Sequence, residues 1–126
     1  MPGKETYDAA TSLLVSHFIL DRQARIAFFA HIANRLNPGG LLASADIASP
    51  HPIDDSASVF DLWIRAMRYT GMTEEKAAGY REKLDAGVSI LSPRDIAQLH
   101  IEAGFANSRL ISQSLLMHGW IAQMPA

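Results

Sequence analysis

The sequence contains no cysteine, which excludes disulfide bonds, thiolate catalysis and every zinc site that needs a thiolate ligand. It has no apolar run of the roughly 18 residues that a membrane-spanning helix requires. The opening residues, MPGKE, lack the apolar segment of a secretory signal peptide. Charge of one sign is not in excess either, because 11 Lys+Arg stand against 13 Asp+Glu, which argues against a basic surface for nucleic acid. We therefore expect a cytoplasmic protein without nucleic-acid or membrane partners.

Motifs of metal and nucleophile chemistry are also missing. The 5 histidines do not occur at H-E-x-x-H or a comparable spacing, and the sequence has no G-x-S-x-G elbow and no P-loop. We therefore expect no metal site. His31 and His100 fall in predicted helices and are expected at the surface, whereas Trp63 and Trp120 are expected in the core.

The first part of the chain predicts a strand–helix–strand unit. Residues Ala9–Val15 are nearly all apolar or small without alternation, which indicates a strand buried on both faces. Asp21 is placed to cap a helix over Arg22–Asn37, which Pro38-Gly39-Gly40 ends. Leu41–Ile47 then predicts a second buried strand. Two parallel strands joined by a right-handed crossover are the simplest solution, so the fold class is α/β.

The remainder of the chain predicts helices followed by a hairpin. Ser92, with proline after it and an aspartate three positions on, is a strong helix N-terminus, and Gly104 ends that helix. A tight turn at Met117-His118 connects two antiparallel strands. The other predicted elements are helices over 54–70 and 74–85 and strands over 107–116 and 119–123.

The segment SLLVSHFILDRQARIAFFAHIANRLNPGGLLASADI resembles the second half of a class I S-adenosylmethionine-dependent methyltransferase. In that family a buried strand is followed by a histidine and an aromatic residue, here His17-Phe18. A helix and an R-x-L-x-P-G-G-like turn follow, here ending in Arg35–Gly40. The next strand ends in an acidic residue, here Asp46. The step Ala103-Gly104-Phe105 is similar to the family's entry to its sixth strand.

The resemblance implies a partial Rossmann-like sheet. In the family's strand numbering the order is 4-5-7-6, with the last strand antiparallel. A helical insertion over 48–91 is similar to that of carboxy-S-adenosylmethionine synthases and type 12 methyltransferases, through Arg68–Thr73 and Tyr80-Arg81. The first three strands and their G-x-G-x-G cofactor loop are missing from this single truncated domain, 1–126. We therefore expect methyltransferase ancestry but no activity of this chain alone.

The resemblance also implies the cofactor contacts. Residues Leu13, Leu14, Ser16 and His17 match the family's positions against S-adenosylmethionine. The alternative is that Leu13 and Leu14 fill the core of the sheet. His17 is either a general base or a hydrogen-bonding group behind the site. Asp46 lies where open α/β sheets bind ligands, or it only caps a turn.

Arg81, on the second helix of the insertion, matches an arginine that lies near the charged end of the cofactor or the substrate. A planar fork of donors suits a carboxylate, so the resemblance implies a substrate-binding role. The alternative is an arginine on a solvated helix face. Arg65 and Arg68 are expected at the surface.

The strand over Thr11–Val15 becomes an edge once its neighbours in the family are missing. An apolar edge without lysine, proline or a bulge signal is an association site. We therefore expect a homodimer or a complementing chain that pairs along Thr11–Val15. The alternative function is a non-catalytic oligomerising or partner-binding module derived from a methyltransferase. A weaker alternative is a pocket at a dimer interface, around Trp63, Met67, Tyr80 and Arg81.

Overall fold

A computed structural model describes residues 5–49, 57–71, 73–76, 79 and 87–126. A short 3-10 turn, Ser16–Phe18, follows the first strand. Residues 74–76 and 79 are helical, and the rest of the helix predicted over 74–85 lies outside the described residues. The main elements are β1 (Tyr7–Leu13), α1 (Arg22–Ala33), β2 (Leu36–Ile47), α2 (Ala57–Tyr69), α3 (Pro93–Glu102), β3 (Asn107–Ser114) and β4 (Met117–Gln123).

The strands form one mixed sheet of 4 strands in the order β1-β2-β4-β3. β1 and β2 are parallel, while β4 pairs antiparallel with both β2 and β3. This is the predicted order 4-5-7-6 with an antiparallel last strand, so the α/β fold class and its partial Rossmann-like sheet are confirmed.

The main core lies between one face of the sheet and the helices α1 and α3. Leu42 and Ala122 are paired across β2 and β4, and both are fully buried. Side chains of both helices pack against them, and burial of such apolar surface is the main force that holds the layers together. The buried members of this cluster are Phe29, Ala33, Leu36, Leu42, Leu99, Ala103, Phe105 and Ala122.

The predicted helix ends are built from the expected capping residues. The Ala24 N–H donates to Asp21 Oδ2 at 2.8 Å, and the Asp95 N–H donates to Ser92 Oγ at 3.1 Å. Each side chain thereby satisfies a backbone donor that the first helical turn leaves unpaired. Gly104 follows α3 with φ +117°, a conformation that only glycine adopts without strain.

The first helix and the second strand differ from their predicted bounds. α1 ends at Ala33, and β2 begins at Leu36 instead of Leu41. Pro38 explains part of the difference, because a proline disfavours the helical conformation of the residue before it, Asn37. Gly40 packs so closely that an added Cβ would lie 2.9 Å from the Asn37 carbonyl oxygen. Pro38-Gly39-Gly40 therefore belongs to an extended segment in which Gly40 packs closely against the backbone of Asn37.

β1 is not buried on both faces, as its composition predicts. Five of its seven residues are exposed. The prediction assumes a central strand, whereas β1 lies at the edge of the sheet and has a strand neighbour on one side only. The prediction that this strand is an edge is therefore confirmed, although its bounds are Tyr7–Leu13.

The predicted hairpin exists, but its turn lies two residues earlier than expected. Met117 pairs with Ile47, and His118 pairs with Asp46, so both belong to β4. The turn falls at Leu115 and Leu116, and Leu115 has φ +54°. The pairing with β2 fixes this register, and the local sequence of the hairpin does not contain that information.

His100 is fully buried, so its predicted surface position is wrong. It shares the inward stripe of α3 with Ile96, Leu99 and Ala103, which are spaced as one face of a helix. Its ring lies edge-on to Phe29 at a centroid distance of 4.5 Å. Burial lowers the pKa of His100 to about 4. His31 is exposed, as predicted.

The two tryptophans are core residues, as predicted. Trp120 is 1% exposed and packs with Ala48 and Ile96. Trp63, from α2, packs with Ile47 and the hairpin residue Leu116 in a separate cluster. The pocket at a dimer interface around Trp63 and Met67 stays a prediction. Tyr80 and Arg81, which were also predicted to line that pocket, lie outside the described residues.

Candidate functional site

A group of buried polar side chains lies where the parallel strands β1 and β2 end. Ser16 and Asp46 are 0% exposed, Arg25 is 1% exposed and His17 is 3% exposed. Open α/β sheets bind ligands at the carboxyl ends of their parallel strands. This group therefore lies where a ligand site is expected. We call these four residues the polar cluster.

Asp46 is the centre of the polar cluster. The Ser16 hydroxyl donates to Asp46 Oδ2 at 2.5 Å, and the His17 backbone N–H donates to Asp46 Oδ1 at 2.9 Å. Hydrogen bonds to a carboxylate are stronger than those between neutral groups. Asp46 therefore caps the turn that follows β1, although the chain reaches Asp46 itself only at the end of β2.

The His17 ring has two competing contacts at one nitrogen. Its Nδ1 lies 3.2 Å from Asp46 Oδ1 and 3.3 Å from the Ile47 backbone nitrogen. A protonated Nδ1 donates to Asp46, whereas an unprotonated Nδ1 accepts the Ile47 N–H, so the two contacts belong to different protonation forms of the ring. In either form, the His17 ring is a buried hydrogen-bonding group that joins the turn to the end of β2. Its role as a general base stays a prediction.

Arg25 completes the polar cluster, and the sequence analysis missed it. Its Nε–H donates to Ser16 Oγ at 3.2 Å, and its Nη1 donates to the Ser89 carbonyl oxygen at 3.2 Å. Its Nη2 lies 3.6 Å from Asp46 Oδ2, which is an ion pair beyond hydrogen-bond length. A signal existed in the sequence, because Arg25 lies four residues before Phe29 on the inward stripe of α1.

Burial and the Asp46 carboxylate act in opposite directions on the pKa of Arg25. Burial lowers the pKa of the Arg25 guanidinium, and the nearby Asp46 carboxylate opposes that shift. An arginine side chain stays protonated in proteins because its ordinary pKa lies above about 12. The cluster therefore holds a buried cation directly against a buried carboxylate.

An apolar rim of exposed side chains lies in residues 13–20, on either side of Ser16 and His17 in the sequence. Leu14 adopts φ +59°, which is uncommon for a residue other than glycine, and its N–H is held by the Ala45 carbonyl oxygen at 2.7 Å. Leu13 is 60% exposed and Leu14 is 41% exposed, so the alternative in which they fill the core is wrong. The exposed members of the rim are Leu13, Leu14, Val15, Phe18 and Leu20.

The arginines of the insertion are the other predicted contacts. Arg81 lies outside the described residues, so its predicted role in substrate binding stays a prediction. Arg65 and Arg68 are exposed, as expected, and line an open concavity of about 520 Å³ with Tyr69. Arg68 also pairs with Glu74 at 3.0 Å. This concavity is shallow and carries no chemistry of its own.

The described residues hold neither a metal-binding group of side chains nor a helix that could span a membrane. Within those ranges, no group of three histidine, aspartate or glutamate side chains can hold a metal ion. None of the helices in the same part of the chain is long and apolar enough to cross a membrane.

Comparison with known proteins identifies the fold but no family. No family model matches the sequence, and no curated protein matches it. Among solved structures, a protein from Bordetella parapertussis described as a possible exported protein matches 98% of this chain and 40% of its own, with TM-score 0.66 and 18% identity. An O-methyltransferase family protein from Burkholderia thailandensis matches 97% and 31%, with TM-score 0.62 and 17% identity.

A third solved structure is human N-acetylserotonin methyltransferase in complex with S-adenosylmethionine. It matches 94% of this chain and 30% of its own, with TM-score 0.60 and 13% identity. The chain thus spans 30 to 40% of the length of these three structures. The described part of the chain is therefore similar in fold to one part of each of these structures.

Proposed function

We propose that this chain is part of an S-adenosylmethionine-dependent methyltransferase: a truncated domain over 1–126, with an insertion over 48–91, that is inactive alone. The observation that carries the proposal is the apolar rim. Its side chains are exposed at the carboxyl end of β1, and the polar cluster fixes the turn that presents them. An exposed apolar patch of this kind marks a binding site.

The residues fit one wall of a cofactor site. Leu13 and Leu14 offer apolar surface to the cofactor, while Ser16 and His17 hold the backbone of the turn from behind. S-adenosylmethionine supplies the methyl group on its sulfonium centre. The chain's contribution is positioning and exclusion of water, which are the main sources of catalysis in such a transfer. Arg81 is the proposed contact to a carboxylate of the substrate.

The edge of β1 is the proposed partner surface. β3, at the other edge, carries Arg109 and an irregular register between Leu110 and Ser112, and a charge and a bulge both oppose strand addition. From Ala9 to Leu13 the register of β1 is regular and its sequence has no charge. We propose that a second copy or a complementing chain pairs there, in the cytoplasm and without nucleic acid or membrane.

The alternative function is a non-catalytic module that oligomerises or binds a partner. The same exposed strand edge supports it, because pairing along β1 needs no cofactor. The two functions differ in one measurable property. A methyltransferase part requires that the apolar rim bind S-adenosylmethionine, and a non-catalytic module does not.

Titration with S-adenosylmethionine, followed by amide NMR shifts, tests the cofactor wall. One wall of a site gives weak binding, so we expect a Kd of about 1 mM, with shifts confined to residues 13–20. Leu14→Asp removes these shifts because it places a charge on the rim. Ile111→Asp is the control. Ile111 is an exposed apolar side chain of β3, and its replacement leaves the shifts unchanged. An absence of shifts in residues 13–20 contradicts the proposal and favours the module. Micromolar binding contradicts the expectation that the missing G-x-G-x-G loop is needed for cofactor binding.

Sedimentation equilibrium tests the strand edge. We expect a dimer whose population rises with protein concentration, and Thr11→Lys is expected to return it to a monomer because lysine on an edge strand blocks pairing. Ile111→Lys on β3 is the control and is expected to remain dimeric. A wild-type chain that is monomeric throughout contradicts the homodimer, as does an equal effect of the two lysines.

A further inference from the structure

We propose that Arg25 is a positioning residue that links the turn beneath the cofactor wall to the segment that returns from the insertion. The return segment is defined here as residues 88–91. The roles of these two segments rest on the proposed function, in which the turn 16–18 supports the cofactor wall and the insertion carries the predicted substrate contact. The link itself rests on the contacts of one side chain.

The Arg25 guanidinium contacts three separate segments. Its Nε–H reaches the turn at Ser16, its Nη1 reaches the return segment at the Ser89 carbonyl oxygen, and its Nη2 faces Asp46 at the end of β2. In the sequence, Ser16, Ser89 and Asp46 lie 9, 64 and 21 positions from Arg25. One side chain therefore contacts the turn, the return segment and the end of β2 at the same time.

The return segment is also held by backbone contacts that lead back to the same turn. The Ser89 N–H donates to the His17 carbonyl oxygen at 2.7 Å. Leu91 forms a bridge with Ala48, and its carbonyl oxygen accepts the Ser49 N–H at 3.0 Å. Ser89 thus contacts Arg25 through its carbonyl and His17 through its N–H. A shift of the return segment disturbs both contacts at once.

Helix formation and burial do not explain an arginine at this position. Arg25 lies in the first turns of α1, where the positive end of the helix dipole disfavours a cation. Its side chain is 1% exposed, and removing a charge from water is costly. An apolar residue of similar volume avoids both costs. The arginine is accounted for by what the guanidinium alone supplies, which is a rigid fork of donors for several acceptors.

The linkage has a mechanical consequence. A return segment displaced by a ligand of the insertion loosens the hold of Arg25 on Ser16, and Ser16 is the hydroxyl that donates to Asp46. The order of the turn under the cofactor wall then depends on the state of the insertion. Binding on one side is therefore expected to rigidify the other, with Arg25 as the physical connection.

Site-resolved amide hydrogen exchange on the 126-residue chain tests this role. In Arg25→Met, exchange of the Ser89 and His17 amides is expected to rise at least about tenfold relative to the amides of the central strands β2 and β4. Arg25→Lys keeps the charge beside Asp46 but loses the fork. In this variant the amides of β2 and β4 are expected to exchange as in the wild type, while the Ser89 and His17 amides still exchange fast. Arg22→Met, at the exposed ion pair with Glu102, is the control and changes neither amide.

Three results overturn the proposal. Equal acceleration of all amides in Arg25→Met means that Arg25 only stabilises the fold. Full restoration of Ser89 and His17 by Arg25→Lys means that charge alone is sufficient. Acceleration at Ser89 without acceleration at His17 means that the two sides are not linked. The measurement uses no S-adenosylmethionine, so failure of the chain to bind that cofactor contradicts the proposed function only.

Discussion

Replacing Asp46 with asparagine is expected to lower the free energy of unfolding by about 3 to 5 kcal/mol, because the Arg25 guanidinium is then buried without an opposite charge. Both side chains are almost fully buried, at 1% and 0% exposure, so water cannot take the place of the lost carboxylate. Asparagine keeps the size of the side chain, which limits the change to charge and hydrogen bonding. Denaturation by urea, followed by circular dichroism, measures the difference.

Glu102→Gln provides the matched control, since it makes the same chemical change in the Arg22–Glu102 ion pair. The side chains of that pair are 49% and 39% exposed, and exposed pairs contribute only about 0 to 1 kcal/mol. The double variant Asp46→Asn/Arg25→Met removes both charges and is expected to cost less than the sum of the single variants. Additive single effects, or equal losses for Asp46→Asn and Glu102→Gln, contradict the buried pair.

Acidification from pH 6.5 to about pH 4 is expected to destabilise the protein by up to about 3 kcal/mol through His100 alone. Burial lowers the pKa of His100 from 6.5 to about 4, a shift that Asp46 opposes and Arg25 adds to. The unfolded state therefore binds a proton at a higher pH than the folded state does. The contribution is fully present above pH 6.5 and is lost as the pH falls towards 4.

His100→Phe isolates this contribution, since the ring lies among Phe29, Phe105 and Trp120 and an apolar ring suits that site. Ser108 Oγ loses its contact to His100 Nδ1, 2.7 Å away, but Ser108 is only half-buried and can turn to water. We expect a weaker decline of the unfolding free energy between pH 6.5 and 4 than in the wild type. The exposed residue His31, changed to Phe, leaves the decline as it was. Parallel profiles for His100→Phe and the wild type contradict the assignment.

The features that the sequence predicts well are those with local causes. The caps at Asp21 and Ser92 depend on residues three positions away, and both exist as predicted. The strand order follows from a resemblance carried by a turn and its flanking strands. By contrast, the turn of the hairpin depends on pairing with β2, a partner about 70 positions earlier, and the local sequence placed it wrongly.

The polar cluster was predicted only in part for the same reason. Ser16 and His17 match a motif, and Asp46 ends a strand, so the sequence indicates each of them separately. Their assembly depends on Arg25, whose acceptor in the return segment is 64 positions away. For Leu13 and Leu14 the sequence leaves two positions open, exposed contact to the cofactor or the core of the sheet, because an apolar run looks the same at the edge of a sheet as at its centre.

The position of β4 bears on the order in which a growing chain can fold. β4 lies between β2 and β3, yet it is the last of the four strands to leave the ribosome. Until residues 117–123 have emerged, β2 has no neighbour on that side, and β3 has no strand to pair with. Of the four described strands, only β1 and β2 can pair before then, and two strands alone are marginal in water. Termination before Met117 is therefore expected to leave a chain that cannot form this sheet.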